Sequence, residues 1–99
     1  MLEKIDENSV SLDGNIVVNV HSLWSIKFSK GNHSAFIRTE WCTAANGDSF
    51  VCIYVNTLEC WAPPHEREIM TGPQKSEIIE KILLALDFLK FKYELDRNK

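Results

Sequence analysis

The sequence predicts an α+β fold: a curved antiparallel sheet of five or six strands with one long C-terminal helix packed on one face, and room for a short last strand. Three observations carry this. Up to about residue 60 apolar residues recur with a period of two. After the prolines at 63 and 64 they recur at steps of three and four. The connections between the runs are of hairpin length and rich in Gly, Asn and Asp. One apolar helix stripe then needs one apolar sheet face. A closed barrel without a helix is excluded, because the stripe would have nothing to cover.

In NSVSLDGNIVVNV, Val10 and Leu12 alternate with polar neighbours, Asp13-Gly14-Asn15 supplies turn chemistry, and Ile16, Val18 and Val20 resume the alternation, which reads as a hairpin. LWSIKFSK sets Trp24, Ile26 and Phe28 against Ser25, Lys27 and Ser29 before Gly31-Asn32 turns the chain. SAFIRTEW places Ala35, Ile37 and Trp41 on one face and Phe36, Arg38 and Glu40 on the other. Asn46-Gly47-Asp48 marks a loop. FVCIYVNTLECW is apolar almost throughout, as expected of a central strand covered on both faces, in the middle of the sheet and ending at about Trp61. Thr71 with Gln74 three residues on reads as a capping box, and Pro73 suits a first helical turn. Ile78, Ile79, Ile82, Leu83, Leu86 and Leu89 form the stripe, with Lys75, Glu77, Lys81 and Asp87 on the solvated side. FKYEL alternates Phe91, Tyr93 and Leu95 as a last strand, with Asp96 to Lys99 expected to fray.

Ninety-nine residues without repeat or linker are expected to form one domain, 1–99. Its 44% apolar and 25% charged residues are too apolar, at a net charge of −3, for a disordered chain. MLEKIDENSV puts acids where a secretory signal would need an apolar core, and no run is long enough to span a bilayer, so the expected compartment is the cytoplasm, with no membrane partner. Cys42, Cys52 and Cys60 have no CxxC spacing and read as reduced, small apolar packers on different faces of different strands. Residues 1–70 carry nine acidic against five basic side chains, whereas 71–99 carry five against six. A negative surface disfavours phosphate backbones and suits a basic protein.

Catalytic chemistry is not evident. His21, His33 and His65 lie at strand or loop ends, outside any nucleophile context, and read as exposed turn histidines. No histidine pair has metal-site spacing, and no glycine loop suits a nucleotide, so neither metal nor cofactor is expected and the chain does not read as an enzyme. Glu66 and Glu68 around Arg67 read first as a solvated charge run. Trp24, Trp41 and Trp61 read as packing residues ahead of a nucleic-acid stacking platform, with Trp61 the most exposed of the three. At WAPPHE, residues 61–66, the prolines bar helix and stiffen the corner. Such a loop can cap the core through Trp61, present His65 and Glu66 to a partner with little entropy lost, or do both.

The strand ending in Trp61, the Pro63-Pro64-His65-Glu66 corner and the helix opened by Thr71 and Gln74 that carries EIIEKILLALDFL together resemble the small immunity proteins of bacterial polymorphic-toxin and contact-dependent growth-inhibition systems, over residues 5–95. The resemblance implies a cytosolic, non-enzymatic antitoxin. It would bind the toxic C-terminal domain of a cognate secreted effector one to one as a monomer and block its active site. Such toxins are often nucleases, so it would be a nuclease inhibitor (of an RNase or DNase) protecting the producing cell without touching nucleic acid itself. Charge and loop position nominate Glu40, Asp48, Glu59, Trp61, His65, Glu66 and Glu68 as toxin-binding. The competing expectation is a small nucleic-acid-binding or regulatory module using exposed Trp24 and Trp41, against which the acidic balance weighs.

Overall fold

The computed structural model describes residues 2–13, 15–22 and 24–97, and the side chains of all of these but His21 and Ser22. Seven strands form one sheet in chain order: β1 (Glu3–Asp6), β2 (Ser9–Ser11), β3 (Ile16–Ser22), β4 (Ser25–Lys30), β5 (His33–Thr43), β6 (Ser49–Tyr54) and β7 (Tyr93–Asp96). The first six are joined as an antiparallel meander, and α1 (Gly72–Phe88) carries the chain over to β7, which pairs with β6 in parallel. A strand that follows its neighbour through a helical crossover can return in the same direction, as a hairpin cannot. The α+β expectation holds, with β1 added to the predicted strands. Gly14, centre of the predicted first turn, lies outside the described residues, as do Leu23, Asn98 and Lys99.

Alternation decides which face is covered. Ile16, Val18 and Val20 of β3, Ile26 and Phe28 of β4, Ala35 and Ile37 of β5, and Val51 and Ile53 of β6 are buried on one face against Ile78, Ile82, Ala85 and Leu86 of α1. Each of the Val, Ile, Leu and Phe side chains among them contributes about 1.5–3 kcal/mol by leaving water. The opposite face of β5 carries Phe36, Arg38 and Glu40, all exposed. Gly31, at φ 61°, and Asn32 turn β4 into β5 and make His33 the first residue of β5, paired with Lys30. A side chain at Gly31 would be strained by that backbone and would meet Asn15 Nδ2 at 3.0 Å.

The start of α1 follows its predicted capping. Thr71 Oγ1 accepts from the Gln74 N–H at 3.2 Å, and Gln74 Oε1 accepts from the Thr71 N–H at 2.9 Å. The far end closes through Lys90, whose φ of 66° lets its N–H reach the Asp87 carbonyl and the Phe91 N–H reach that of Leu86.

Four expectations need correction. β6 is not covered on both faces and is next to one edge of the sheet: only Val51 and Ile53 of it are buried. Nor does it run to Trp61. It stops at Tyr54, a 3-10 turn follows at Val55–Thr57, and the apolar run continues because Val55, Leu58 and Trp61 face the core from irregular backbone. Asp96 does not fray, since it pairs with Tyr54 in β7, and the Arg97 carbonyl accepts from Asn56 Nδ2. Cys42 and Cys52 are half-buried on the same outer face of neighbouring strands, opposite Phe50 and Glu40 respectively, and Cys60 is exposed, so the three are not alike as core packers.

Candidate functional site

Beyond Tyr54 the chain keeps to the free edge of β5. The Arg38 N–H donates to Thr57 Oγ1 at 2.9 Å and the Ala62 N–H donates to the Ser34 carbonyl at 2.7 Å, so residues 57–62 lie beside the first half of that strand. Between this segment and the outer face of the sheet runs an open groove. Two adjoining depressions that share Thr57 make it up, one lined by Phe36, Glu59, Cys60, Trp61, Pro63 and Glu66 and the other by Arg38, Glu40 and Tyr54. Three of the nominated acids, Glu40, Glu59 and Glu66, and the nominated Trp61 therefore line one surface with Arg38, Phe36 and Tyr54.

Glu40 is not a bare carboxylate. It accepts from the Tyr54 hydroxyl at 2.5 Å, and that bond pushes the Tyr54 pKa up to about 12, partial desolvation and the Glu40 charge adding to the shift. Next along, the Cys52 thiol is pushed up by burial and then by Cys42, Asp96, Glu94 and Glu40, four groups that crowd the same face. Asp48 stands apart, in the β5–β6 connection, where a 2.7 Å bond from Lys92 Nζ lowers its pKa.

The corner divides the remaining nominees. Trp61 is buried at 7% exposure, with Phe28 and His33 against its ring, so the expectation that it is the most exposed tryptophan is wrong; Trp24, at 60%, is. Trp41 packs its ring at right angles to Phe91, 5.5 Å between centroids, with a buried indole N–H, which leaves it unsuited to stacking a base. The Pro63–Pro64 peptide is cis, and two successive turns follow, closed by the His65 N–H on the Ala62 carbonyl and the Glu68 N–H on that of His65. The second turn brings His65 Nδ1 to Glu68 Oε2 at 2.6 Å.

Docking of the corner on β5 then adds a residue that sequence spacing did not single out. His33 Nε2 lies 2.9 and 3.0 Å from the two Glu68 oxygens, and its ring stacks on that of His65 with centroids 3.7 Å apart. His33 and His65 are thus half-buried partners instead of exposed turn histidines. Their hydrogen bonds hold the Glu68 carboxyl below its ordinary value, that from His33 most, against the upward pull of desolvation. The only signal in the sequence was that each histidine adjoins a turn; 32 positions separate them, and they meet because the corner docks on β5 through the Ala62–Ser34 bond, the packing of Trp61 on His33 and the shared Glu68 carboxylate.

Among the described residues no helix is long and apolar enough to cross a membrane. Comparison with curated proteins and with solved structures gives no significant match. The family model described as Immunity protein 74, however, matches residues 22–96, from the end of β3 through β7. With most of its length matched, the chain belongs to this family of polymorphic-toxin immunity proteins.

Proposed function

We propose that the chain is a non-enzymatic inhibitor that acts as one domain, binds the toxic domain of its cognate effector one to one in the cytoplasm, and covers its active site with the groove beside β5. The observation that carries this reading is the composition of that groove: Glu40, Glu59 and Glu66 spaced around Phe36, Arg38 and Tyr54. Aromatic rings and arginine are the side chains that concentrate binding energy at interfaces, and carboxylates around them complement a basic cleft. A cleft built to hold phosphates is basic, which favours a nuclease as the target. The negative excess of residues 1–70 steers such a partner from a distance, an effect that salt screens.

Glu66 and Glu59 are the better probes of this surface than Glu68, whose carboxylate is held by two histidines. Co-expression with the toxic domain restores growth and the two proteins co-purify. Reversal of both acids, Glu59→Lys with Glu66→Lys, slows association at least tenfold at low salt and flattens its salt dependence. Unchanged kinetics would remove the groove from the interface, and failure of the unmodified chain to rescue growth would remove the reading as a whole.

A further inference from the structure

We propose that His33, His65 and Glu68 form a binding site for a divalent transition-metal ion of the zinc type, one that fastens the 61–70 corner to the start of β5. One ligand atom from each residue lies within 4.8 Å of the others. Two imidazoles and one carboxylate are a common three-residue ligand set for zinc, leaving a fourth position for water or a partner group. The nitrogen content of the set selects against magnesium and calcium, which take oxygen ligands.

The surroundings of His33 strengthen the assignment. Its Nδ1 lies 3.0 Å from Asn32 Oδ1, an acceptor that holds the ring proton on Nδ1 once an ion displaces the Nε2 proton now shared with Glu68. A second partner that fixes the tautomer in this way is the usual companion of a metal-binding histidine. Access is open: the Glu68 side chain is 53% exposed and those of His33 and His65 are 27% and 20%. The rings lie stacked, 16° from parallel, so capture of an ion requires His65, on the turn after Pro64, to swing its ring out of the stack. Glu68 moves little, because both nitrogens already converge on it.

The test uses untagged full-length protein and Zn²⁺ as the probe. Titration calorimetry is expected to give one equivalent bound. Co²⁺ in its place is expected to show the visible absorption of a low-coordinate site. His33→Ala, His65→Ala and the isosteric Glu68→Gln each weaken binding at least tenfold, and Asn32→Ala weakens it by about tenfold through the lost orientation of His33. A variant with Cys42, Cys52 and Cys60 all changed to Ser keeps its affinity, as does His21→Ala. Circular dichroism confirms that each variant is folded, and the solvent-facing Glu68→Gln keeps the test decisive if a histidine variant is not. No binding of Zn²⁺ to the unmodified protein overturns the proposal, as does binding that survives His33→Ala and Glu68→Gln or disappears with the cysteines.

Discussion

The two faces of β5 differ sharply in character, although they alternate residue by residue. Ala35, Ile37 and Thr39 point inward and are 1–3% exposed; Phe36, Arg38 and Glu40 point outward, toward the groove. The inward set must match the stripe of α1 in shape, since an interior tolerates neither gaps nor crowding. No described element packs over the groove, so the outward set is free to take the charge and aromatic character that a partner requires. On the proposed reading, the same strand carries fold on one side and recognition on the other.

The largest effect that sharpens this contrast is a cavity on the covered side. Leu86→Ala, at a residue with no exposure, should lower the unfolding free energy by about 2–5 kcal/mol, whereas Arg38→Ala should change it by less than about 0.5 kcal/mol while weakening toxin binding. Urea unfolding of both variants checks the split, and comparable losses would abolish it. A smaller loss tests how the stripe is presented. Thr71→Ala removes one half of the capping box and should cost about 1 kcal/mol, lowering the melting temperature by several degrees without altering the groove.

The smallest effect belongs to the outer face alone. Tyr54 is pushed up to about 12 from an ordinary value of 10, so the folded state holds its phenolic proton where the unfolded state has released it. The stabilisation is therefore complete below pH 10 and is lost as pH rises through about 12. Tyrosinate absorbance should show Tyr54 titrating late, and Glu40→Gln should bring that step down, because its first cause is the Glu40 hydrogen bond. An unmoved titration would mean that Glu40 does not hold the hydroxyl.

What the sequence made legible follows the same division. The alternation of Ala35 and Ile37 with Phe36 and Arg38, and the Thr71–Gln74 cap, are local features, and local features survive reading in one dimension. β1 was not legible: its residues Glu3–Asp6 are all exposed, so it buries no face that could impose a period on them. The end of β6 was misplaced because Val55 and Leu58 are as apolar as strand residues while facing the core from a turn and the segment after it. Of the candidate site, Glu40, Glu59 and Glu66 were reachable from charge and loop position. The pairing of His33 with His65 was not, since it depends on where the corner docks and nothing in either residue's neighbourhood encodes that.

The end strands of the sheet have a consequence of their own. An open sheet of seven strands has two borders, and a strand at a border offers unpaired backbone groups to any second chain that can align with it. Here both border strands are four residues long, β1 with Glu3, Lys4 and Asp6 and β7 with Glu94 and Asp96. Too short and too charged to template another copy of themselves, they protect the sheet from growing edge to edge, so that a partner of the kind proposed would meet its broad outer surface and not its borders.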